Sequence, residues 1–136
     1  MHRRSFLALT PALLLPRMAL AADRVFYEPG NAEAEMKAGK VVFLDFWTNW
    51  CSTCAAQNRV IDRLRAGNPA YDKAISFYTV DWDVHAESRL STDLKIPRRS
   101  VLVALKGETE IGRVVADPSP KAIKALMDAA LAAATP

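Results

Sequence analysis

The stretch Val41-Val42-Phe43-Leu44-Asp45-Phe46-Trp47 is apolar at every position but one and rich in β-branched and aromatic side chains. A run that does not alternate predicts a strand covered on both faces, which calls for a sheet packed between helices. Three residues further on, Cys51-Ser52-Thr53-Cys54 opens a segment in which Val60, Ile61 and Leu64 take helical spacing while Arg59, Asp62 and Arg63 fall elsewhere. The cysteine pair therefore stands at a strand-to-helix junction.

The rest of the chain supplies the other layers. Asn31 to Lys40, with Gly39 near its end, predicts a short helix, and Gly67-Asn68-Pro69 stops the helix that follows the cysteines. Ile75 to Trp82 predicts a second buried strand, and Val84 to Lys95 a weaker helix. Val101 to Leu105 predicts a third strand, Lys106-Gly107-Glu108 a turn and Glu110 to Val115 a fourth strand. Ser119-Pro120 places a capping residue and a first-turn proline ahead of a last helix, whose Ile123, Leu126, Met127 and Leu131 form one apolar stripe. A further short strand is expected at Val25 to Tyr27. Strands alternating with helices and closing on a hairpin predict a three-layer α/β/α sandwich around a central mixed sheet. With 136 residues, 51% hydrophobic and 24% charged, and no repeat, there is room for one domain of this kind.

Residues 1–21 have the three parts of a cleavable export signal: basic His2-Arg3-Arg4, the apolar run Phe6 to Leu15, and Ala19-Leu20-Ala21 as the cleavage site. The domain then spans 22–136. The apolar run is about half the ~20 residues a membrane span needs, so no stable insertion is expected once the signal is removed. Arg3-Arg4-Ser5-Phe6-Leu7 resembles a twin-arginine signal; a general secretory signal that holds two arginines is the alternative. Either route leads out of the cytoplasm, most simply to a bacterial periplasm. Arg3, Arg4 and Arg17 leave with the signal, which reduces Lys+Arg from 18 to 15, equal to the 15 Asp+Glu. A mature chain without net charge gives no electrostatic ground for nucleic acid as its partner.

Cys51 and Cys54 are the two cysteines of the sequence, so a disulfide-rich scaffold is excluded. In the first turn of a helix, unpaired N–H groups and the positive end of the dipole favour a thiolate on Cys51. The spacing brings Cys54 onto the same helical face, where its sulfur can attack a mixed disulfide formed by Cys51. A structural disulfide is an alternative, although closing so short a loop stabilises by only ~2 kcal/mol, against about 3 for fifteen residues. A thiol-based metal-binding module is another. A structural zinc site wants four ligands, and the mature chain offers two thiols and the distant His85.

The strand and pair, Val42-Phe43-Leu44-Asp45-Phe46-Trp47-Thr48-Asn49-Trp50-Cys51-Ser52-Thr53-Cys54, resemble the thioredoxin family, and Val101 to Glu108 resembles that family's later strand and hairpin. The resemblance implies a thioredoxin fold and a protein thiol-disulfide oxidoreductase. Its redox-active disulfide, Cys51-Cys54, would be the sole redox group, with no cofactor or metal. It further implies an exposed attacking Cys51, a buried resolving Cys54, and Asp45 as a buried acid that takes the proton from Cys54. Trp50 fits the aromatic that covers the site and meets a partner. A lysine that the family often sets near the acid would align with Thr79.

The loop opposite the cysteines departs from the family. Aligning the third strand puts Ser100 where the family has a cis-proline and leaves Pro97 three residues early; Pro97 as the family proline, with extra residues after it, is the alternative. A non-proline cis bond costs ~3 kcal/mol, so a trans Ser100 is expected. Ser100 and the adjacent Arg99 are substrate-binding candidates, since this loop pairs with the partner's backbone in the family. Arg98 beside them is read as a solvated edge. Asp81, Trp82, Asp83 and His85 are read as a capped helix start with core aromatics, without chemistry. Ser52-Thr53 places no cationic histidine beside Cys51, so the couple is expected to be less oxidising than the family's strong oxidants. This favours a reductase, expected to be periplasmic and monomeric with oxidised protein clients, and the resemblance implies a DsbD-type transmembrane electron donor; a disulfide oxidase or isomerase is the alternative.

Overall fold

The computed structural model describes residues 24–135, so the expected export signal and its cleavage site lie outside the described residues. The elements are α1 (Asn31–Lys37), β1 (Val41–Trp47), α2 (Ser52–Gly67), α3 (Ala70–Ala74), β2 (Ile75–Asp81), α4 (Trp82–His85), α5 (Arg89–Asp93), β3 (Val101–Lys106), β4 (Thr109–Val115) and α6 (Pro120–Ala134). The strands form one mixed sheet in the order β2-β1-β3-β4. β1 is parallel to β2 and antiparallel to β3, and β3 is antiparallel to β4.

β1 and β3 occupy the middle of the sheet and are buried on both sides, which is why neither alternates in hydropathy. The pleat sends Val41 and Phe43 toward α2, α3 and α6, where they pack with Ile61, Ile123 and Met127. Val42, Leu44 and Phe46 point the other way, into a second core with Ala32, Leu90 and Val103. Two cores separated by one sheet make the expected three layers.

Local chemistry sets the element ends. The Ser119 side chain accepts from the Ala122 N–H, and Pro120 occupies the first turn of α6. Gly107 turns the β3–β4 hairpin at φ 58°, a left-handed conformation that favours glycine. Among the described residues the N-terminal strand reduces to one parallel bridge between Phe26 and Thr79, at the open edge of β2. The helix expected over Val84 to Lys95 is broken into α4 and α5. Ser88 adopts an extended backbone and caps α5 through its side chain, and that conformation cannot continue a helix. α3 was not legible, because Pro69 stops one helix and opens the next. No helix among the described residues is long and apolar enough to cross a membrane.

Candidate active site

The site lies where β1 ends and α2 begins. Cys51 is the N-cap of α2, extended at φ −89° and ψ 112°, and its Sγ accepts the Cys54 N–H at 3.1 Å. A side-chain acceptor here meets one of the N–H groups that every helix start leaves unpaired. The two cysteines are joined as a disulfide with a Cα–Cα distance of 5.2 Å. Cys54 is fully buried and Cys51 only 6% exposed. The order of access is the expected one, but Cys51 is far less open than the resemblance implied.

Ser100 is what covers it. Its hydroxyl lies 3.1 Å from the Cys51 sulfur and 3.2 Å from that of Cys54. The residue is fully buried and left-handed at φ 64°, its N–H donates to the Phe46 carbonyl at 2.7 Å, and its own carbonyl accepts from the Ala116 N–H at 2.8 Å. The structure thus sets Ser100, not the exposed Pro97, against the disulfide. Among the described residues every peptide bond is trans, the Arg99-Ser100 bond included.

Asp45 sits on the α2 face of β1, next to Thr79 in the parallel register. Its carboxylate is buried and Oδ1 has no hydrogen-bond partner. Burial pushes the carboxyl from 3.8 up to about 7, against the pull of the Arg24 guanidinium, which is 3.9 Å away. Asp45 borders a cleft of about 20 Å³ shared with Arg24, Asn58, Asp62 and Thr79. That is room for about one water molecule, a route for a proton to a buried acid.

Trp50 and Arg99 form the rim. Trp50 is 59% exposed, its indole N–H donates to Asp83 Oδ2 at 2.9 Å, and the Arg99 guanidinium stacks on its ring at 4.3 Å. Asp83, read from the sequence as part of a helix start, therefore also holds the tryptophan. Asp81 caps α4, Trp82 packs edge-on against Phe46, and His85 packs edge-on against Tyr27. Arg98 is exposed and bonds the neighbouring Arg99 carbonyl.

Three residues of the site escaped the sequence reading. Gln57, fully buried, donates to the carbonyls of Ser100 and Asp117 and so ties α2 to the opposite loop. Asn58 donates to the Cys54 carbonyl at 2.8 Å and accepts from Arg24. Gln57 and Asn58 follow Cys54 by three and four positions, on the helical stripe that also carries Ile61. Two amides on an apolar stripe are a legible sign of a polar task. Arg24 gave no comparable sign, because it reaches Asp45 from outside the regular elements.

No family model matches the chain. A thioredoxin of Malassezia sympodialis is 37% identical over 81 residues, which cover 59% of this chain and 73% of that protein. The crystal structure of a thioredoxin from the same organism superposes with a TM-score of 0.56 at 31% identity, over 70% of this chain and 84% of that one. Trxlp of Edwardsiella tarda gives a TM-score of 0.65 at 23% identity, over 76% of this chain and 98% of that one, a likeness of fold. Sequence identity to a thioredoxin over most of that protein's length agrees with the sheet order and with a disulfide at the head of α2. The chain belongs to the thioredoxin family and is a thiol-disulfide oxidoreductase.

Proposed function

We propose that this protein is an exported, periplasmic dithiol reductase that acts as a monomer on oxidised protein clients. In each cycle the Cys51 thiolate attacks a client disulfide. The client's sulfur–sulfur bond breaks, a Cys51–client bond forms, and the departing client thiolate takes a proton from solvent. Cys54 then loses its proton to Asp45, directly or through water, and attacks the Cys51 sulfur. This closes the Cys51–Cys54 disulfide and releases the second client thiolate. Two electrons pass from the dithiol to the client, and a DsbD-type transmembrane donor returns them.

The observation that carries the reading is the asymmetry of the pair: Cys51 caps the helix and is the less buried residue, while Cys54 is wholly enclosed. An acid poised near neutrality can accept a proton during resolution and give it up again, as general acid–base catalysis needs. Trp50 and Arg99 supply an apolar face and a cation beside the sulfurs for a client segment, and Ser100 borders the place where the mixed disulfide forms. The basic, apolar and small-residue sequence of 1–21 supports export.

Insulin reduction by the purified protein with dithiothreitol tests the chemistry. Turnover should vanish in both Cys51→Ser and Cys54→Ser, and a mixed disulfide should accumulate in Cys54→Ser alone. Turnover that survives Cys51→Ser refutes the assignment. A reduction potential well above that of cytosolic thioredoxin would favour oxidation or isomerisation instead. Fractionation of cells that carry Arg3→Lys with Arg4→Lys tests the route: the protein should leave the periplasmic fraction if export is by twin arginine.

A further inference from the structure

We propose that the Ser100 hydroxyl is a catalytic hydrogen-bond donor, serving the Cys51 thiolate during attack and the Cys54 thiolate during resolution. The inference rests on the dithiol chemistry proposed above and adds a third side chain to it.

The geometry has four parts. The hydroxyl oxygen is nearly equidistant from the two sulfurs, at 3.1 and 3.2 Å. The residue is fully buried, so water does not compete for the donor. Its position is anchored from three directions, by the Phe46 carbonyl, the Ala116 N–H and the Gln57 side-chain amide, which donates to the Ser100 carbonyl at 3.1 Å. The backbone is held at φ 64°, where glycine is at ease and a side chain carries a cost.

A hydroxyl has one proton to donate, so it serves one sulfur at a time. A disulfide sulfur is a weak acceptor and a thiolate a strong one, so the bond is worth more in the dithiol than in the disulfide. When Cys51 is ionised, the donor faces it. Once Cys51 is tied up in a mixed disulfide and Cys54 has lost its proton, a rotation about the Cβ–Oγ bond of serine turns the donor to the second sulfur. No heavy atom of the loop needs to move. The hydroxyl thereby supplies part of the thiolate stabilisation that the sequence, with no histidine between the cysteines, does not.

The test measures iodoacetamide alkylation of Cys51 against pH in the reduced wild type, Ser100→Ala and Ser100→Gly. Both variants lose the hydroxyl, but only glycine relaxes the left-handed backbone. The expected result is the same shift in both: an alkylation midpoint about one pH unit higher and roughly tenfold slower labelling below it, the size of one charge-assisted hydrogen bond. The equilibrium with glutathione should move in both toward the disulfide, which makes the couple more reducing. Variant profiles that superimpose on the wild type overturn the proposal, and so does a shift confined to Ser100→Gly, which would trace to the backbone. A wild type that alkylates as slowly as a free cysteine at every pH overturns both this inference and the reductase reading. A low wild-type midpoint retained in both variants removes only the hydroxyl's role.

Discussion

Neighbouring residues of β1 meet opposite fates. Val42, Leu44 and Phe46 enter a core made of apolar side chains, whereas Val41 and Phe43, on the other face, lead to Asp45, a buried acid with an unpartnered oxygen. One face of the strand holds the fold together, and the other gives up stability at its last inward position. The lesson is that the pleat lets a single seven-residue strand supply packing on one face and a buried titratable acid on the other, because alternate side chains never share an environment.

The largest test of this contrast is pH dependence. Because burial raises Asp45 from 3.8 to about 7, the folded protein keeps a proton that the unfolded chain releases between those values. Stability is then full below about pH 4, falls as pH rises through 7 and is level above it, a loss on the order of 4 kcal/mol. Urea unfolding of Asp45→Asn should show no such decline, leaving the variant more stable than wild type at pH 8 and slower in insulin reduction. Parallel pH profiles for the two proteins would erase the distinction between the faces.

Next in size, Leu44→Ala should cost about 3 kcal/mol at both acidic and alkaline pH, through the lost transfer energy and the cavity left behind. Insulin reduction per folded molecule should be retained. A selective loss of turnover would mean that the apolar face also serves the chemistry. The smallest effect belongs to Arg24→Gln. Arg24 pulls the Asp45 carboxyl down, so its removal should move the pH at which the stability decline levels off above about 7. The shift should shrink in high salt for the wild type, since Arg24 is part-exposed. A levelling point that stays in place would assign the tuning of Asp45 to burial alone.

Much of the site was readable along the chain. The cysteine pair and the helix it begins are close in sequence, and hydropathy period and spacing suffice to relate them, whereas Asp45, six residues before Cys51, was picked out through the resemblance to the thioredoxin family. The cap at Ser119 and the turn at Gly107 are equally local. The break between α4 and α5 was missed because a serine cap outweighed a weak helical pattern, and Ser88 is legible as a cap only once the backbone is seen to turn there.

The thioredoxin architecture and the dithiol chemistry were thus written into short-range pattern, since strand burial and helix capping depend on neighbours a few residues away. Packing alone chose the surroundings of that chemistry. The hydroxyl over the sulfurs comes from 46 residues beyond Cys54, and the cation near the acid from outside the sheet. A contact across such distances arises from the way layers stack and loops close. No local rule of spacing encodes which arginine arrives, and Ser100 was set opposite the cysteines only through the family resemblance.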